Sequence, residues 1–299
     1  MTAYRYEKTD AFTAPGSLGN PAACLYLREE QQLSDRQMQE IATAHKGFVS
    51  EVVYCREVDQ NTFALHYFSS ECEVAFCGHG TIACMYSLIA NDLELQTQHE
   101  ITIFTQTKGN LTVYNRISEQ NAVYISAPEP IYLPVPVSTR KIAEKLQINE
   151  TVISKSYPID FVDAGNRTLI VPILKFEDEV NISPDEQVLK KFTGENEIDV
   201  IAIFCMDVQD KTHFAHTRIF AAKYGYLEDP ATGSGNSAFG YYLIRNNLWR
   251  GDSIAIEQGG NDCAFNTVRL IYQDGRVLFG GSATTRIRGE YLLDEGLVK

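Results

Sequence analysis
The chain has little of what a membrane span, a disulfide scaffold or a nucleic-acid-binding face requires. No apolar run approaches the roughly 20 residues of a membrane helix. Met1-Thr2-Ala3-Tyr4-Arg5-Tyr6 lacks the basic-then-apolar order of a signal peptide, so a cytoplasmic protein without membrane contact is expected. Positive charge is scarce: 26 Lys and Arg against 39 Asp and Glu leave a formal charge of −13. Such a balance argues against nucleic acid or an anionic lipid surface as partner, because either needs a basic face. The seven cysteines (Cys24, Cys55, Cys72, Cys77, Cys84, Cys205 and Cys263) are an odd set without the paired short spacings of a zinc ribbon, and they read as free thiols in a reducing compartment. Tryptophan occurs once, at Trp249, where it is expected to fill core or lobe contacts.

What is present is size and apolar content. The 299 residues, 44% of them hydrophobic, suffice for two domains with large cores. Pro128, Pro130, Pro134 and Pro136 crowd a stretch that neither a helix interior nor a central strand tolerates, which sets a boundary there. The expected division is an N-terminal lobe over 1–127 and a C-terminal lobe over 137–283, with the segment from about 284 to 299 a candidate to return to the first lobe. Ser34-Asp35-Arg36-Gln37 has capping-box spacing and Gly47 marks the end of the helix that follows. Thr139–Leu146 reads as a helix, and Ser183-Pro184-Asp185-Glu186 as a second cap, with Ser183 at its head. Strands are expected at Tyr4–Leu27 (broken by a loop from Phe12 to Gly19), Val52–Cys55, Thr62–Phe68, Glu100–Thr105, Asn110–Tyr114, Thr168–Pro172, Val200–Phe204, His216–Phe220, Ser253–Glu257, Val268–Tyr272 and Arg276–Phe279. The fold class is a mixed α/β or α+β protein of two similar lobes.

Two glycine-framed segments carry the chemistry. Cys77-Gly78-His79-Gly80-Thr81-Ile82-Ala83-Cys84-Met85-Tyr86-Ser87-Leu88-Ile89 and Thr232-Gly233-Ser234-Gly235-Asn236-Ser237-Ala238-Phe239-Gly240-Tyr241-Tyr242-Leu243-Ile244 share both glycines, the alanine and the later Tyr, Leu and Ile. Each turn opens a helix whose first N–H groups and dipole favour an anion. Both also fit the G-x-G-x-x-A of a dinucleotide fold. However, Glu228-Asp229-Pro230-Ala231-Thr232 replaces the apolar strand that such a fold places before the turn. His213 and His216 form H-x-x-H on a strand, where i and i+3 face opposite sides, so no metal site is expected there.

Asp229-Pro230-Ala231-Thr232-Gly233-Ser234-Gly235 preceded by Arg218-Ile219-Phe220, with Cys77-Gly78-His79-Gly80 and Gly19-Asn20-Pro21-Ala22-Ala23, resembles the PhzF-like family, relatives of diaminopimelate epimerase. The likeness runs on through Ser50-Glu51, Ala164-Gly165-Asn166, Glu257-Gln258-Gly259 and Gly280-Gly281. It implies two pseudo-symmetric lobes, each a curved mixed sheet around a central helix, with the active site in the cleft where the two helix N-termini meet. It also implies proton transfer on a small anionic carboxylate without metal or organic cofactor, and it suggests a homodimer. The family's general acid/base falls on Glu51, with His79, Asp229 and Ser234 as its companions, and Asn20, Gly78, Gly80, Gly233, Ser234 and Gly235 form the substrate-binding set. A carboxylate removed from water holds its proton to higher pH, which suits Glu51 to that role. In epimerase and proline racemase relatives a cysteine before the turn is one of two thiol bases. Here Thr232 stands opposite Cys77, so a two-thiol racemase is disfavoured, and Cys77 reads as a small buried side chain. The expected function is a cofactor-independent isomerase or epimerase using Glu51 as proton shuttle. The alternatives are a catalytically silent carboxylate-binding protein and a racemase built on Cys77. The sequence departs from the family pattern at Gln258-Gly259-Gly260-Asn261-Asp262-Cys263-Ala264-Phe265, which lacks the usual Gly-Arg, and at Ala44-His45-Lys46-Gly47-Phe48-Val49.

Overall fold
Helices that are apolar on every side must be surrounded by other elements, and the helix after each glycine turn is of this kind. A computed structural model describes residues 1–261 and 264–294, so Asp262, Cys263 and the last five residues of the C-terminal segment lie outside the described residues. The chain forms two units. The first holds residues 1–13 and 18–126 and the described residues from Gly280 onward; the second holds residues 14–17 and 127–279.

In the first unit the elements are β1 (Thr2–Ala11), β2 (Asn20–Leu27), α1 (Asp35–Ala44), β3 (Glu51–Asp59), β4 (Thr62–Ser69), β5 (Glu73–Val74), α2 (Gly78–Ala90), the one-turn α3 (Leu93–Gln96), β6 (Glu100–Thr105), β7 (Gly109–Arg116), the one-turn α4 (Ile117–Gln120) and β8 (Ala122–Ser126). β1 lies antiparallel to β2 and to the last strand of the chain, Ala283–Leu293. β2 runs parallel to β3 with Ala22 beside Glu51, and β3 runs antiparallel to β4 with Glu51 opposite Ser69. β4 is parallel to β6, and β6, β7 and β8 complete the sheet as antiparallel neighbours. α2 packs against β1, β2, β3, β8 and the last strand, with Ile82, Ala83, Cys84, Met85 and Ile89 buried. α1 covers β3 and β4 through Met38, Ile41 and Ala42, which join Leu25, Val52, Tyr54 and Phe68 in one apolar cluster. With both faces covered, β2 reads as a nearly continuous buried run rather than an alternation.

The second unit repeats this plan with β9 (Ile131–Leu133), α5 (Thr139–Leu146), β10 (Asp160–Asp163), β11 (Arg167–Pro172), α6 (Phe176–Asn181), α7 (Glu186–Glu195), β12 (Val200–Cys205), β13 (Ala215–Phe220), β14 (Glu228–Asp229), α8 (Gly233–Arg245), β15 (Ile254–Gln258) and β16 (Asn266–Gln273). β17 (Arg276–Gly281) follows and ends in the first unit. From β9 to β16 the pairings run antiparallel, antiparallel, parallel, antiparallel, parallel, antiparallel. The same sequence of pairings leads from the last strand through β1, β2, β3, β4 and β6 to β7. In each unit a two-residue strand precedes the central helix, β5 before α2 and β14 before α8. The fold is therefore mixed α/β with two pseudo-symmetric lobes, each a mixed sheet around a central helix.

Three local readings change. α7 is capped by Asp185, whose carboxylate accepts the Val188 N–H at 2.8 Å, so Ser183 and Pro184 precede the helix rather than opening it. α1 begins at the expected Ser34 capping box but ends at Ala44, with His45 as its C-cap, while Gly47 supplies a left-handed turn (φ +80°) beyond it. The strand Ala283–Leu293 is absent from the sequence-based reading because Thr, Arg and Glu interrupt its apolar residues and most of its residues are exposed, so no alternation marks it.

Candidate active site
β3 delivers Glu51 as its first residue, and the N-terminus of α2 delivers Cys77 and His79. Gly80 is what allows the helix to start so close to the strand: a Cβ there would lie 2.8 Å from Val53 Cγ2 and 3.0 Å from Cys77 Sγ. Cys77 is the N-cap, and its sulfur accepts the Gly80 N–H at 3.3 Å. Thr81 locks the turn from behind, donating to the Cys77 carbonyl at 2.7 Å and sharing a 2.6 Å hydrogen bond with the Tyr67 hydroxyl.

Three candidate side chains meet in this corner. His79 Nε2 lies 3.1 Å from Glu51 Oε2, and Cys77 Sγ lies 3.8 Å from the same oxygen and 3.5 Å from His79 Nδ1. The Glu51 and His79 side chains keep 18% and 12% of their surface exposed, whereas Cys77 is buried. Burial pulls the His79 imidazole down, but the Cys77 sulfur and the Glu51 carboxylate more than reverse this, so the ring holds its proton well above the ordinary histidine range. Burial pushes the Cys77 thiol up, His79 pulls it down and Glu51 pushes it up again, leaving it raised. Asn20, the first residue of β2, is buried at the same end of the sheet two residues before Ala22, the neighbour of Glu51. Gly19 before it has φ +74°, and a Cβ there would lie 2.7 Å from the Ala11 carbonyl oxygen, so only glycine fits the turn.

The second unit builds its counterpart on α8. Thr232 has the backbone angles of Cys77, φ −124° and ψ 108° against φ −127° and ψ 110°. Its hydroxyl does not cap the helix but donates to Asp229 Oδ2. Gln258, at the end of β15 and fully buried, organises this turn. Its Oε1 accepts from Thr232 N at 2.9 Å and Asn236 Nδ2 at 2.7 Å, and its Nε2 donates to the Asp229 carbonyl at 2.8 Å and the Thr232 hydroxyl at 3.1 Å. Ser234 Oγ accepts from Asn166 Nδ2 at 2.9 Å, which ties α8 to the Gly165 turn between β10 and β11. Gly233 is pressed onto Phe279, where a Cβ would lie 2.3 Å from the ring. Asp229 is buried and Ser234 partly exposed.

The first intrahelical bonds are Thr81 N to the Cys77 carbonyl and Asn236 N to the Thr232 carbonyl. The Gly78 and His79 amides of α2 and the Gly233, Ser234 and Gly235 amides of α8 precede them and are placed to engage an anion. Within their own units, then, Glu51, Cys77, His79 and Asn20 gather at one end of a sheet, and Asp229 and Ser234 gather at one helix start. Sequence reasoning foresaw neither the contact of His79 with Glu51 nor the hub role of Gln258. The first depends on the packing of α2 against β3. The second was visible only as part of Glu257-Gln258-Gly259, with no spacing to mark it.

The buried His216 of β13 lies 3.2 Å from Glu179 of α6, while His213 approaches Glu257 at 3.7 Å. His213 precedes β13 rather than lying on it, and among the described residues Glu51, Cys77 and His79 are a group of three side chains whose donor atoms converge. No described helix is long and apolar enough to cross a membrane.

A family model described as phenazine biosynthesis-like protein matches residues 9–289 of the chain. The chain is 26% identical over 255 residues to the protein named uncharacterized isomerase YfhB of Bacillus subtilis (strain 168), covering 84% of this chain and 85% of that one. It superposes with a TM-score of 0.84 on the crystal structure of a phenazine biosynthesis protein of the PhzF family from Bacillus anthracis, at 24% identity and over 98% of this chain and 100% of that one. The fold is shared more distantly with a hydroxyproline epimerase from Agrobacterium vitis, crystallised with bound trans-4-hydroxy-L-proline, at a TM-score of 0.61, 11% identity and coverage of 97% and 91%.

Proposed function
The chain belongs to the phenazine biosynthesis-like protein family and is by that kinship an isomerase; we propose that it moves a proton on a small amino- or hydroxy-carboxylate, without a cofactor, using Glu51 as the shuttle. The observation that carries this reading is the Glu51 carboxylate held 3.1 Å from His79 at the start of α2. Glu51 takes a proton from a carbon activated by the substrate's own unsaturation or carboxylate. It returns that proton to another carbon, giving isomerisation, or to the other face of the same carbon, giving epimerisation. His79 holds the carboxylate in place and offsets its charge. The early amides of α2 and α8 hold the substrate carboxylate and the oxyanion that develops as the proton leaves, a contribution that is typically about 10²–10³ in rate for one such donor. Asp229, fixed by Thr232 and Gln258, receives the substrate's amino or hydroxyl group or relays a proton. Asn20, Ser234 and the framing glycines bind substrate.

Cys77 is not the base in this reading. Burial raises its thiol, and the opposing pull of His79 and the Gly80 N–H does not cancel that rise, so the thiol form is favoured at neutral pH. The same proposal includes homodimeric assembly, read by light scattering, and residence in the cytoplasm. Turnover is tested with a panel of small amino- and hydroxy-carboxylates that includes cyclohexadiene acids. Glu51→Gln should lower kcat by at least about 10³-fold, within the range general acid–base groups contribute. Near wild-type turnover in Glu51→Gln, with loss in Cys77→Ser, would hand the role to the cysteine. Saturable carboxylate binding without turnover would make the protein a receptor.

A further inference from the structure
We propose that Glu51, Cys77 and His79 also form a three-donor site for a zinc-class divalent cation, and that the bound cation silences the proton shuttle. The geometry that supports it is that of the donor atoms. Cys77 Sγ lies 3.8 Å from Glu51 Oε2 and 3.8 Å from His79 Nε2, and His79 Nε2 lies 3.1 Å from Glu51 Oε2. A tetrahedral zinc ion bonded at about 2.3 Å to sulfur and about 2.0–2.1 Å to nitrogen and oxygen separates such donors by roughly 3.3–3.6 Å. Each of the three separations is within about 0.3 Å of one edge of that tetrahedron, so small side-chain rotations complete the face.

The donor set selects the ion. One sulfur, one imidazole nitrogen and one carboxylate oxygen suit zinc, cobalt or copper and disfavour magnesium and calcium, which take oxygen ligands. The three donors are pinned by the backbone: Cys77 as the N-cap of α2, His79 two residues on, and Glu51 as the first residue of β3. Three protein ligands leave the fourth position open, the arrangement of an exchangeable rather than a structural site. The exposed parts of Glu51 and His79 give the ion a route in. When it binds, the thiol and imidazolium protons leave to solvent and no electrons move. The Glu51 lone pair that would accept a substrate proton is then committed to the metal, so the cation is an inhibitor competitive with substrate.

The test is a Co²⁺ titration of the full chain, because tetrahedral cobalt–thiolate sites give a near-ultraviolet sulfur-to-metal band and intense visible bands. A Cys72→Ser, Cys263→Ser background removes the exposed thiol and the one outside the described residues. One Co²⁺ per chain should bind with both sets of bands, and Zn²⁺ should displace it. Cys77→Ser keeps a good N-cap residue and should remain folded; it should abolish the sulfur band. His79→Gln should weaken binding by at least about 100-fold, since even outer-shell changes cost 10–100-fold. Circular dichroism of both variants verifies folding. Absence of a sulfur band in the parent, or its survival in Cys77→Ser, overturns the proposal. The readout needs no turnover, so a cobalt site in a protein that turns nothing over would refute only the shuttle, and turnover without a cobalt–thiolate band would refute only the metal site.

Discussion
Gln258 sits at the centre of the turn that presents Asp229, and replacing it with methionine isolates what its amide does, since the length and most of the volume are kept. The amide is fully buried and makes four hydrogen bonds, two as acceptor and two as donor. Methionine removes the acceptor of the Thr232 N–H, and a buried donor left without a partner costs about 1–3 kcal/mol. Asn236 keeps its bond to the Thr232 carbonyl and the Thr232 hydroxyl keeps Asp229, so their losses, like that of the bond to the Asp229 carbonyl, are the smaller net value of about 0.5–1.5 kcal/mol each. These contributions share a network and do not add fully, so Gln258→Met should destabilise the second unit by about 3 kcal/mol, and by no less than about 2. Trp249 provides the assay: it is the single tryptophan, buried in the second unit, with its Nε1 donating to the Asp252 carbonyl at 2.8 Å. Urea unfolding followed by its fluorescence should show a lower midpoint with an unchanged slope. A loss below about 1 kcal/mol would mean that the amide is not the hub of this turn.

Other perturbations follow from single contacts. Gly233→Ala places a Cβ 2.3 Å from the buried Phe279 ring, so overpacking should cost about 1–3 kcal/mol in the same fluorescence assay, and a neutral effect would refute the close packing. His216→Leu strands the fully buried Glu179 carboxylate, which should cost about 3–5 kcal/mol at neutral pH. Burial is the main cause that holds the Glu179 pKa above 4.5, with His216 opposing it. The native state therefore binds this proton more tightly than the unfolded chain. Its contribution to stability is complete below about pH 4.5 and lost as pH rises through the raised value. The His216→Leu defect should accordingly shrink on acidification towards pH 4.5, and a defect that grows would contradict the assignment.

How much the sequence disclosed depends on the range of the interaction. Ser34 and Gln37 form the expected capping box because both halves of it lie within one helical turn, and Thr139–Leu146 is helical over the residues expected. The two glycine turns were legible for the same reason, and the comparisons bear out the family that they and the Asp229-Pro230-Ala231-Thr232 segment indicated. Ser183 reads as a cap because Pro after Ser mimics a helix start, yet Asp185 offers its carboxylate to Val188 and takes the position. The contacts among Glu51, Cys77 and His79 join a strand to a helix more than twenty residues away, and no periodicity records them. Gln258 is likewise drawn to Thr232 only by folding, and its isolated sequence position carries no sign of four simultaneous hydrogen bonds.

The shuttle itself is tested most directly by carbon-bound hydrogen exchange in deuterated water, followed by proton NMR on the carboxylate that the panel identifies. The wild-type protein should wash deuterium into the carbon that loses or gains the proton, and Glu51→Gln, verified as folded, should abolish that exchange while still binding the carboxylate. Exchange that persists in Glu51→Gln at the wild-type rate would contradict Glu51 as the proton carrier.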